Sequence, residues 1–469
     1  MIFNKKLAVA VSGAVLLMAG QFALADSTTD IVDALVSKGV LTEEEGKLIS
    51  KGSESKRKAD EKANKSRISV GSFIDNATMY GDIRARYERR DGDVVSATPS
   101  GTNTDSNRAR YKITLGIETK SGNMYSDLAF SMGSNGRSDN TSFGDVNTVG
   151  SAYDKNASAL YVKRAMFGYN ITDWLAVEAG RMKNPLYMVN AMVFDHDIVM
   201  DGAQEKLKYK LGDTNLFANF GQWIYTGKEV ASTNGGTTTT SRQNMVLAFQ
   251  AGAEQAFVAD KFSAKAAVGY YNYTANSAGT VGAAAYIPSI ANASTTASFA
   301  VNDLAILDIP MEINYMATPT IGIRPYAEYA YNTNGSDRKN AAGATVAALS
   351  NDDTAWLVGI TVGSAKDFKA FTGKKLAKND WNANLWYQSV GTYALDQNSV
   401  DSDIFDGRLN MEGTVLKAQY MVEDNFALNF TGGWGGRKNS QYGTMAPKVD
   451  ITGNIDDYTL YQFDATYKF

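Results

Sequence analysis

Several residue types that carry chemistry in other proteins are missing from this sequence. Its 469 residues include no cysteine, one histidine and only 7 prolines. The lack of cysteine excludes disulfides, thiolate metal sites and thiol redox chemistry. Beyond one stretch near the start, no window approaches the roughly 20 apolar residues that a membrane-spanning helix needs. The sequence therefore excludes a cysteine-based enzyme and a helical membrane protein.

An excess of positive charge is missing as well. The formal net charge is −4, and it becomes −6 when residues 1–25, with two lysines and no acid, are removed. Nucleic acid is therefore an unexpected partner. Aromatic residues and glycine are abundant instead, with 25 Tyr, 20 Phe and 42 Gly. This composition is typical of a β-rich protein.

Residues 1–25 have the three parts of a secretory signal peptide. Lys5 and Lys6 precede the apolar stretch LAVAVSGAVLLMAG, and Ala23-Leu24-Ala25 forms a small-x-small cleavage site. We expect cleavage before Asp26 and export of the remaining chain.

The next segment, residues 26–67, is predicted to be a periplasmic helical hairpin followed by a charged linker. Apolar residues recur at helical spacing before Gly39, and a capping box from Thr42 to Glu45 begins a second helix. Residues 51–67 are nearly all charged or small. Such a segment is either a flexible spacer or a helix that pairs with copies of itself.

From about residue 79 the apolar period changes to two, which predicts β-strands with one apolar and one polar face. In residues 79–90, for example, Ile83, Ala85 and Tyr87 alternate with charged residues. The polar faces are too charged for a protein core, so they face water in a sandwich or a barrel lumen. The basic residues on these faces are Arg84, Arg86, Arg108, Arg110, Lys112, Lys206, Lys208 and Lys210.

The lengths of the connections favour a barrel over a sandwich. Tight turns such as TKSGN and NITD alternate with long segments rich in Gly, Ser, Thr and Asn. Short turns on one side and long loops on the other are typical of outer-membrane barrels. We predict an all-β transmembrane barrel of about sixteen (16–18) antiparallel strands over residues 68–469. The strands are expected near residues 79–90, 107–119, 123–133, 158–170, 173–182, 204–211, 214–226, 242–254, 261–274, 303–316, 320–332, 353–363, 379–391, 408–421, 424–436 and 455–469.

The last stretch, YQFDATYKF, is a strand with an aromatic face that ends on phenylalanine. In a barrel this face would meet lipid, and the last aromatic residues would lie at the interface where aromatic girdles occur. The pattern resembles the signal by which Gram-negative barrels are passed to the outer-membrane barrel assembly machinery. The residues that carry this predicted signal are Tyr461, Phe463, Tyr467 and Phe469.

Four segments in order resemble the putative porin family of proteobacterial outer-membrane barrels, which is related to the phosphate-selective porins. They are DALVSKGVLTEEE, YGDIRARYE, ITDWLAVEAGRMKNP with VFDHDIVMDG, and FDGRLNMEGTVLKAQYMVEDNFAL. The resemblance implies a barrel in the outer membrane, in contact with its lipids and lipopolysaccharide. It also implies a homotrimer and the diffusion of small hydrophilic solutes through the lumen.

The third long loop, residues 183–203, is more apolar than the other loops. We expect it to fold into the lumen, where Asp195, Asp197 and Asp201 would face the arginines of the early strands and produce a transverse field. An external lid is the alternative. His196, the only histidine, lacks a nucleophile motif, and adjacent residues of an extended chain cannot all bind one metal. We therefore expect no catalysis, metal or cofactor.

Two strands conflict with strict alternation. Arg181 falls on the same parity as Val177 and Ala179, although the resemblance places Arg181 and Lys183 at the pore. Lys163 likewise shares its parity with Phe167. Either a bulge intervenes, or Arg181 lies at the rim of the membrane.

The function that these features predict is a non-enzymatic porin for passive diffusion. A mild anion preference is expected, because the polar faces of the early strands are largely basic. The alternative is a structural barrel, or one that encloses a partner such as an electron-transfer protein, and an enzyme built on a barrel ranks behind both. About 50 residues precede the first strand after cleavage, too few for the plug of a ligand-gated transporter.

Overall fold

The computed structural model describes most of the predicted barrel. It divides into two compact units, Met1–Ser69 and Val70–Phe469. Apart from Thr42, Glu44 and Lys47, the described residues all belong to the second unit. They are 74–94, 102–133, 139–143, 159–226, 230–234, 237–241, 244–258, 261–274, 304–340, 348–364, 376–444, 450–451 and 453–469. Apart from Thr42, Glu44 and Lys47, which belong to the predicted helical hairpin, the predicted signal peptide, hairpin and charged linker lie outside the described residues.

The described chain is almost entirely β-structure. Within the described part of Val70–Phe469, a short α-helix, α1, is Gly335–Asn340, and Phe405–Gly407 forms one turn of 3-10 helix. The strands are β1 (Asn76–Val94), β2 (Thr102–Ser121), β3 (Met124–Gly133), β4 (Thr141–Ser142), β5 (Ala159–Thr172), β6 (Leu175–Lys183), β7 (Val199–Leu211), β8 (Thr214–Thr226), β9 (Val230–Asn234), β10 (Thr237–Ser241), β11 (Asn244–Val258), β12 (Phe262–Tyr273), β13 (Ala305–Met316), β14 (Ile321–Asn332), β15 (Thr354–Ser364), β16 (Trp381–Val390), β17 (Met411–Glu423), β18 (Phe426–Arg437) and β19 (Ile455–Lys468).

Sixteen of the described strands close into an antiparallel barrel. Each of them pairs with the next barrel strand along the chain, and β1 also pairs with β19. The two-residue β4 adds to β2, while β9 and β10 form a separate hairpin within a loop. The predicted fold class and strand count are confirmed. The largest errors in a strand start are at β2 and β7, which each begin 5 residues before their predicted positions.

Among the described residues, no helix is long and apolar enough to cross a membrane.

The two faces of each strand differ as their periodicity predicts. On β1, Ile83 is 47% exposed and Tyr87 is 51% exposed, whereas Arg86 and Glu88 are buried. The apolar residues therefore point outward, and the charged residues point into the lumen. This inversion of the usual pattern follows from the solvent, since lipid lies outside the barrel and water inside it.

The connections alternate between a short-turn end and a long-loop end of the barrel. At the short-turn end, β11 ends at Val258 and β12 begins at Phe262, so only three residues join them and this connection fits the alternation. The join between β15 and β16 spans residues 365–380 and is the one long connection at this end. The third long loop is residues 184–198, and we call it loop 3.

A β-bulge resolves the parity conflict in β5. Ala129 pairs with Arg164, but the next residue, Phe130, pairs with Val162, so Lys163 is the extra residue. Lys163 and Arg164 are consequently both buried inside the barrel, while Val162 is 42% exposed on the outside. The bulge allows two adjacent basic side chains to enter the lumen without moving the apolar face away from lipid.

Phe469 completes the seam between the first and last strands. Its backbone N–H donates to the carbonyl of Gly81 at 3.0 Å, and the N–H of Gly81 donates to the carbonyl of Phe469 at 2.9 Å. The ring of Phe469 lies directly over Gly81, where an added Cβ would come within 2.5 Å of the ring and of the carbonyl oxygen of Thr114 on β2. The ring of Phe469 therefore fits in this position because residue 81 has no side chain.

This packing predicts that Gly81→Ala and Phe469→Asp have the same defect in membrane insertion. Alanine at residue 81 would displace the ring, and aspartate would remove it, so both variants should insert several-fold more slowly and accumulate in the periplasm. Heat-modifiable mobility on SDS gels, followed over time in cells, measures insertion. The control is Gly433→Ala, whose new Cβ meets Leu460 at an ordinary 3.5 Å. Insertion of Gly81→Ala at the wild-type rate would contradict the idea.

Candidate functional site in the barrel lumen

Loop 3 folds into the lumen. Its residues Val189, Met192, Val193 and Phe194 are all buried. The Phe194 ring packs edge-on against the wall residues Trp223 and Tyr271, at centroid distances of 6.5 and 5.2 Å. The apolar residues of the loop give it a reason to leave water and pack inside, because each buried side chain contributes about 1.5–3 kcal/mol.

A second loop, residues 391–410, also lies within the barrel and holds the tip of loop 3. The N–H of Asp195 donates to the carbonyl of Ser399 at 2.6 Å, and the hydroxyl of Ser399 donates to the carbonyl of Val193 at 2.9 Å. In return the Asp195 carboxylate accepts bonds at 3.0 Å from the backbone and the hydroxyl of Ser402. Apart from the acidic run DSDIFDG, no sequence pattern indicates that this second loop turns inward.

Asp406 anchors the second loop. It has a left-handed backbone with φ of 59°, and its carboxylate accepts bonds from the N–H groups of Asp450 and Ile451. Arg90 donates to the same carboxylate at 3.1 Å, and Arg408 approaches at 3.3 Å. Burial raises the pKa of Asp406, and the two arginines oppose that rise. A turn that positions the second loop thus depends on one buried carboxylate.

Arg86, one of the predicted pore residues, is fully engaged by carboxylates. It forms ion pairs at 2.7 Å with Asp464 on β19 and with Asp403 on the second loop. Burial opposes ionisation, but Arg86 and Arg90 hold the pKa of Asp403 well below its usual range. Arg86 therefore fastens the second loop to the wall and contributes little free positive charge to the lumen.

Asp197 of loop 3 faces two wall lysines. Lys112 and Lys163 each lie 3.7 Å from its carboxylate, and both also pair with Asp139. Although burial opposes it, these lysines lower the pKa of Asp197. The predicted opposition of loop acids and wall bases is therefore present, but Lys112 and Lys163 form it with Asp197.

Two of the predicted arginines lie nearer the long-loop end. Arg108 pairs with Glu88 and lies 2.6 Å from Asp450. Arg110 lies 3.6 Å from Glu88 and donates to the carbonyl of Asn140 at 3.2 Å. Arg84 donates to the amide oxygen of Asn140 at 2.6 Å and lines the lumen below loop 3.

Two cavities lie beneath the inward loops. The larger, of about 1110 Å³, is bounded by residues 184–188 of loop 3 and by strands β1–β3, β5–β8, β11 and β12. The smaller, of about 580 Å³, is bounded by Asp195, His196, Asp197 and the second loop, with β1, β2 and β14–β19 as its wall. Loop 3 contributes residues to the walls of both cavities.

Lysines dominate the wall of the larger cavity. The predicted residues Lys183, Lys206, Lys208 and Lys210 all line it. Lys206 pairs with Glu178, and Lys183 lies 3.4 Å from Glu118. The side chains of Lys208 and Lys210 are exposed. This cavity also contains a stacked arrangement that the sequence did not suggest, in which Lys265 lies over the ring of Tyr187 at 4.3 Å.

The expectation that Arg181 and Asp201 line the pore is wrong. On β6 and β7, Glu178, Met182 and Gln204 point inward and are buried, so the alternating residues Arg181 and Asp201 point outward. Their side chains form an ion pair at 2.8 Å and are 39% and 47% exposed. No register shift separates β6 from β7, so a bulge does not move Arg181 to the lumen. An uncompensated arginine facing mid-bilayer would cost about 2–4 kcal/mol.

The DHD sequence does not form a metal site. Among the described residues, no group of three or more His, Cys, Asp or Glu side chains is arranged to hold a metal ion. Asp195 binds the second loop, and Asp197 faces the wall lysines. Burial, together with the nearby charge of Lys417, lowers the pKa of His196, which favours its neutral form at pH 7.

A family model described as "Putative porin" matches residues 88–302, which confirms the resemblance predicted from the sequence. No curated protein matches the sequence. One similar solved structure is OmpTdeltaL8, a loop L8 deletion mutant of OmpT, an outer membrane protein of Vibrio cholerae. It shares 13% identity, covers 84% of this chain and 99% of its own, and has a TM-score of 0.39. The barrel and the family match support a porin-like channel in the outer membrane.

The contact between the two loops predicts a pH dependence. Burial, with the charges of Asp401 and Asp197, raises the pKa of Asp195 from 3.8 to about 7. The folded loop therefore keeps a proton on Asp195 that the unfolded loop loses. The stabilisation of the folded loop by this bound proton is complete below about pH 4 and is lost as the pH rises through 7. Open-channel current noise in planar bilayers should therefore increase from pH 5 to pH 8.

Asp195→Asn should remove most of this increase, because the amide does not titrate. Asp197→Asn is the matched comparison: the lowered pKa of Asp197 keeps it charged over the whole range. This variant should retain an increase in noise, but at lower pH, because one of the charges that raise the pKa of Asp195 is removed. Equal noise at pH 5 and pH 8 in the wild type would contradict the assignment to Asp195.

Proposed function

We propose that this protein is a porin through which small hydrophilic solutes and ions diffuse passively across the outer membrane. The observation that carries the proposal is the inverted barrel with its two polar cavities beneath loop 3. A wall of charged and amide side chains replaces part of a solute's hydration shell, and an inward loop narrows the passage to the size of small molecules.

A mild anion preference is part of the proposal. Lys208 and Lys210 are the main support, because both are exposed on the wall of the larger cavity. The preference should be weaker than the rows of basic residues alone would give. Arg86, Lys112 and Lys163 each face a carboxylate of an inward loop, and paired charges contribute little field beyond a Debye length of about 8–10 Å.

Transport rather than catalysis is the function we infer. The matched family is one of porins, and the residues around His196 are used for loop packing and wall pairing. The alternative of a barrel that encloses a protein partner is disfavoured, since loop 3 and the second loop fill much of the lumen. We also propose export through residues 1–25, assembly by the barrel machinery through the aromatic face of β19, and a homotrimeric state.

Reversal potentials in a KCl gradient test the channel and its selectivity together. The wild type should conduct with a weak anion preference. Asp197→Asn combined with Asp403→Asn should raise the ratio of chloride to potassium permeability about twofold, because Lys112, Lys163 and Arg86 lose a compensating charge. Replacement of Arg84, Arg86, Arg108 and Arg110 by Gln should shift the potential toward cations.

The control for these variants is Glu423→Gln, which removes a carboxylate that pairs with Lys378 in an exposed turn at the short-turn end. It should leave the potential nearly unchanged. Absence of any conductance would reject the porin function. Cation preference in the wild type would reject only the proposed selectivity, as would an unchanged potential in the fourfold Gln variant.

A further inference from the structure

The larger cavity carries an excess of positive charge. Among the described residues that line it are six lysines and four acidic side chains. The described lining of the smaller cavity has six basic and six acidic side chains instead. An anion therefore meets a net positive wall in the larger cavity and a balanced wall in the smaller one.

The same cavity contains an aromatic surface. Phe217 of β8 lies opposite Gly252 of β11, where an added Cβ would come within 2.4 Å of the Phe217 ring. The ring therefore extends over a residue without a side chain and lies close against the wall. Tyr187 of loop 3 packs edge-on against it, with a centroid distance of 5.9 Å and an interplanar angle of 76°. Both rings line the cavity and are only partly buried, so part of each is open to a solute.

Lysines flank the Phe217 ring on both sides. On β7, Lys208 is directly opposite Phe217 in the strand register, and side chains in such positions begin about 4.5–5.5 Å apart at Cβ. On the other side, the Nζ of Lys265 from β12 lies 5.1 Å from the ring centroid of Phe217 and 4.3 Å from that of Tyr187. An ammonium group is therefore within reach of a solute that packs on either edge of the Phe217 ring.

These two lysines can donate hydrogen bonds to a solute. The side chain of Lys208 is exposed, and the Nζ of Lys265 lies 3.9 Å from the carboxylate of Glu254, too far for a hydrogen bond. Lys206 on the same wall differs, since it donates to the carboxylate of Glu178. Positive charge that is only weakly compensated therefore coincides with the aromatic surface.

We propose that the larger cavity binds small organic anions that carry an aromatic ring, in preference to aliphatic or inorganic anions of the same charge. The inference rests on the proposed function, because it names the class of solute for that channel. The acidic group of the solute would accept hydrogen bonds from Lys208 or Lys265, while its ring would pack on Phe217 and Tyr187. Contacts between aromatic rings increase affinity by about two- to tenfold, whereas an inorganic anion gains the charge interaction alone.

Block of the chloride current in planar bilayers measures this preference. Benzenesulfonate and methanesulfonate carry the same charge and remain ionised, so they differ in the phenyl ring. In the wild type, benzenesulfonate should halve the current at a concentration about three- to tenfold lower than methanesulfonate. Phe217→Leu should bring the two concentrations to within about twofold, and Lys265→Gln should raise both. Phe220→Leu, which changes an outward ring of the same strand, is the matched control and should keep the wild-type preference.

The wild-type measurement is decisive even if a variant fails to fold. Half-block by the two sulfonates at equal concentrations would overturn the inference, and so would an unchanged preference in Phe217→Leu. Glucose, which is neutral, should not block at these concentrations, and block by glucose would overturn the inference in favour of a sugar site. A channel that conducts chloride without the preference rejects this inference only, whereas a protein without conductance rejects the porin function as well.

Discussion

In hydrocarbon, a backbone N–H or C=O group without a partner costs several kcal/mol, so a sheet can lie in a membrane only if it has no free edge. The pairing of β1 with β19 meets this constraint, and the rest of the structure depends on it. It runs from Asp82 and Lys468 to Val94 and Ile455, and Phe469 extends it to Gly81. Once the sheet is closed, one face of every strand contacts lipid and the other faces the lumen.

Closure also creates the volume in which the site is built. A cylinder with a charged inner wall has no core of its own, and the apolar residues of loop 3 and of residues 391–410 supply one inside its long-loop half. Their carboxylates then meet the wall arginines and lysines, because those are the polar partners available there. Packing of the loops and pairing of the charges therefore stabilise the same arrangement, and the remaining space near the short-turn end forms the two cavities.

Much of the fold could be predicted because its solvent imposes a simple period. Each strand must alternate between lipid and water, so a run such as ARYKITLGI reveals both its state and its faces, and all sixteen barrel strands fell close to their expected places. The inward loop 3 was also predictable, since an apolar loop gains free energy by leaving water. The prediction of which residues face inward failed where one extra residue interrupts the alternation. The bulge at Lys163 belongs to the pairing of β5 with β3, which sequence spacing does not reveal.

The sequence by itself determined the class of fold, the strand count and the lumen-facing sets of basic residues, because these follow from local periodicity and connection length. Only the tertiary structure decided which charges are neutralised. Arg86 meets Asp403 and Asp464, which are more than 300 residues away in the sequence, and Arg181 meets Asp201 on the outer face. Electrostatic interactions depend on distance in space and on burial, and neither can be read from sequence spacing when barrel closure and loop folding bring distant residues together.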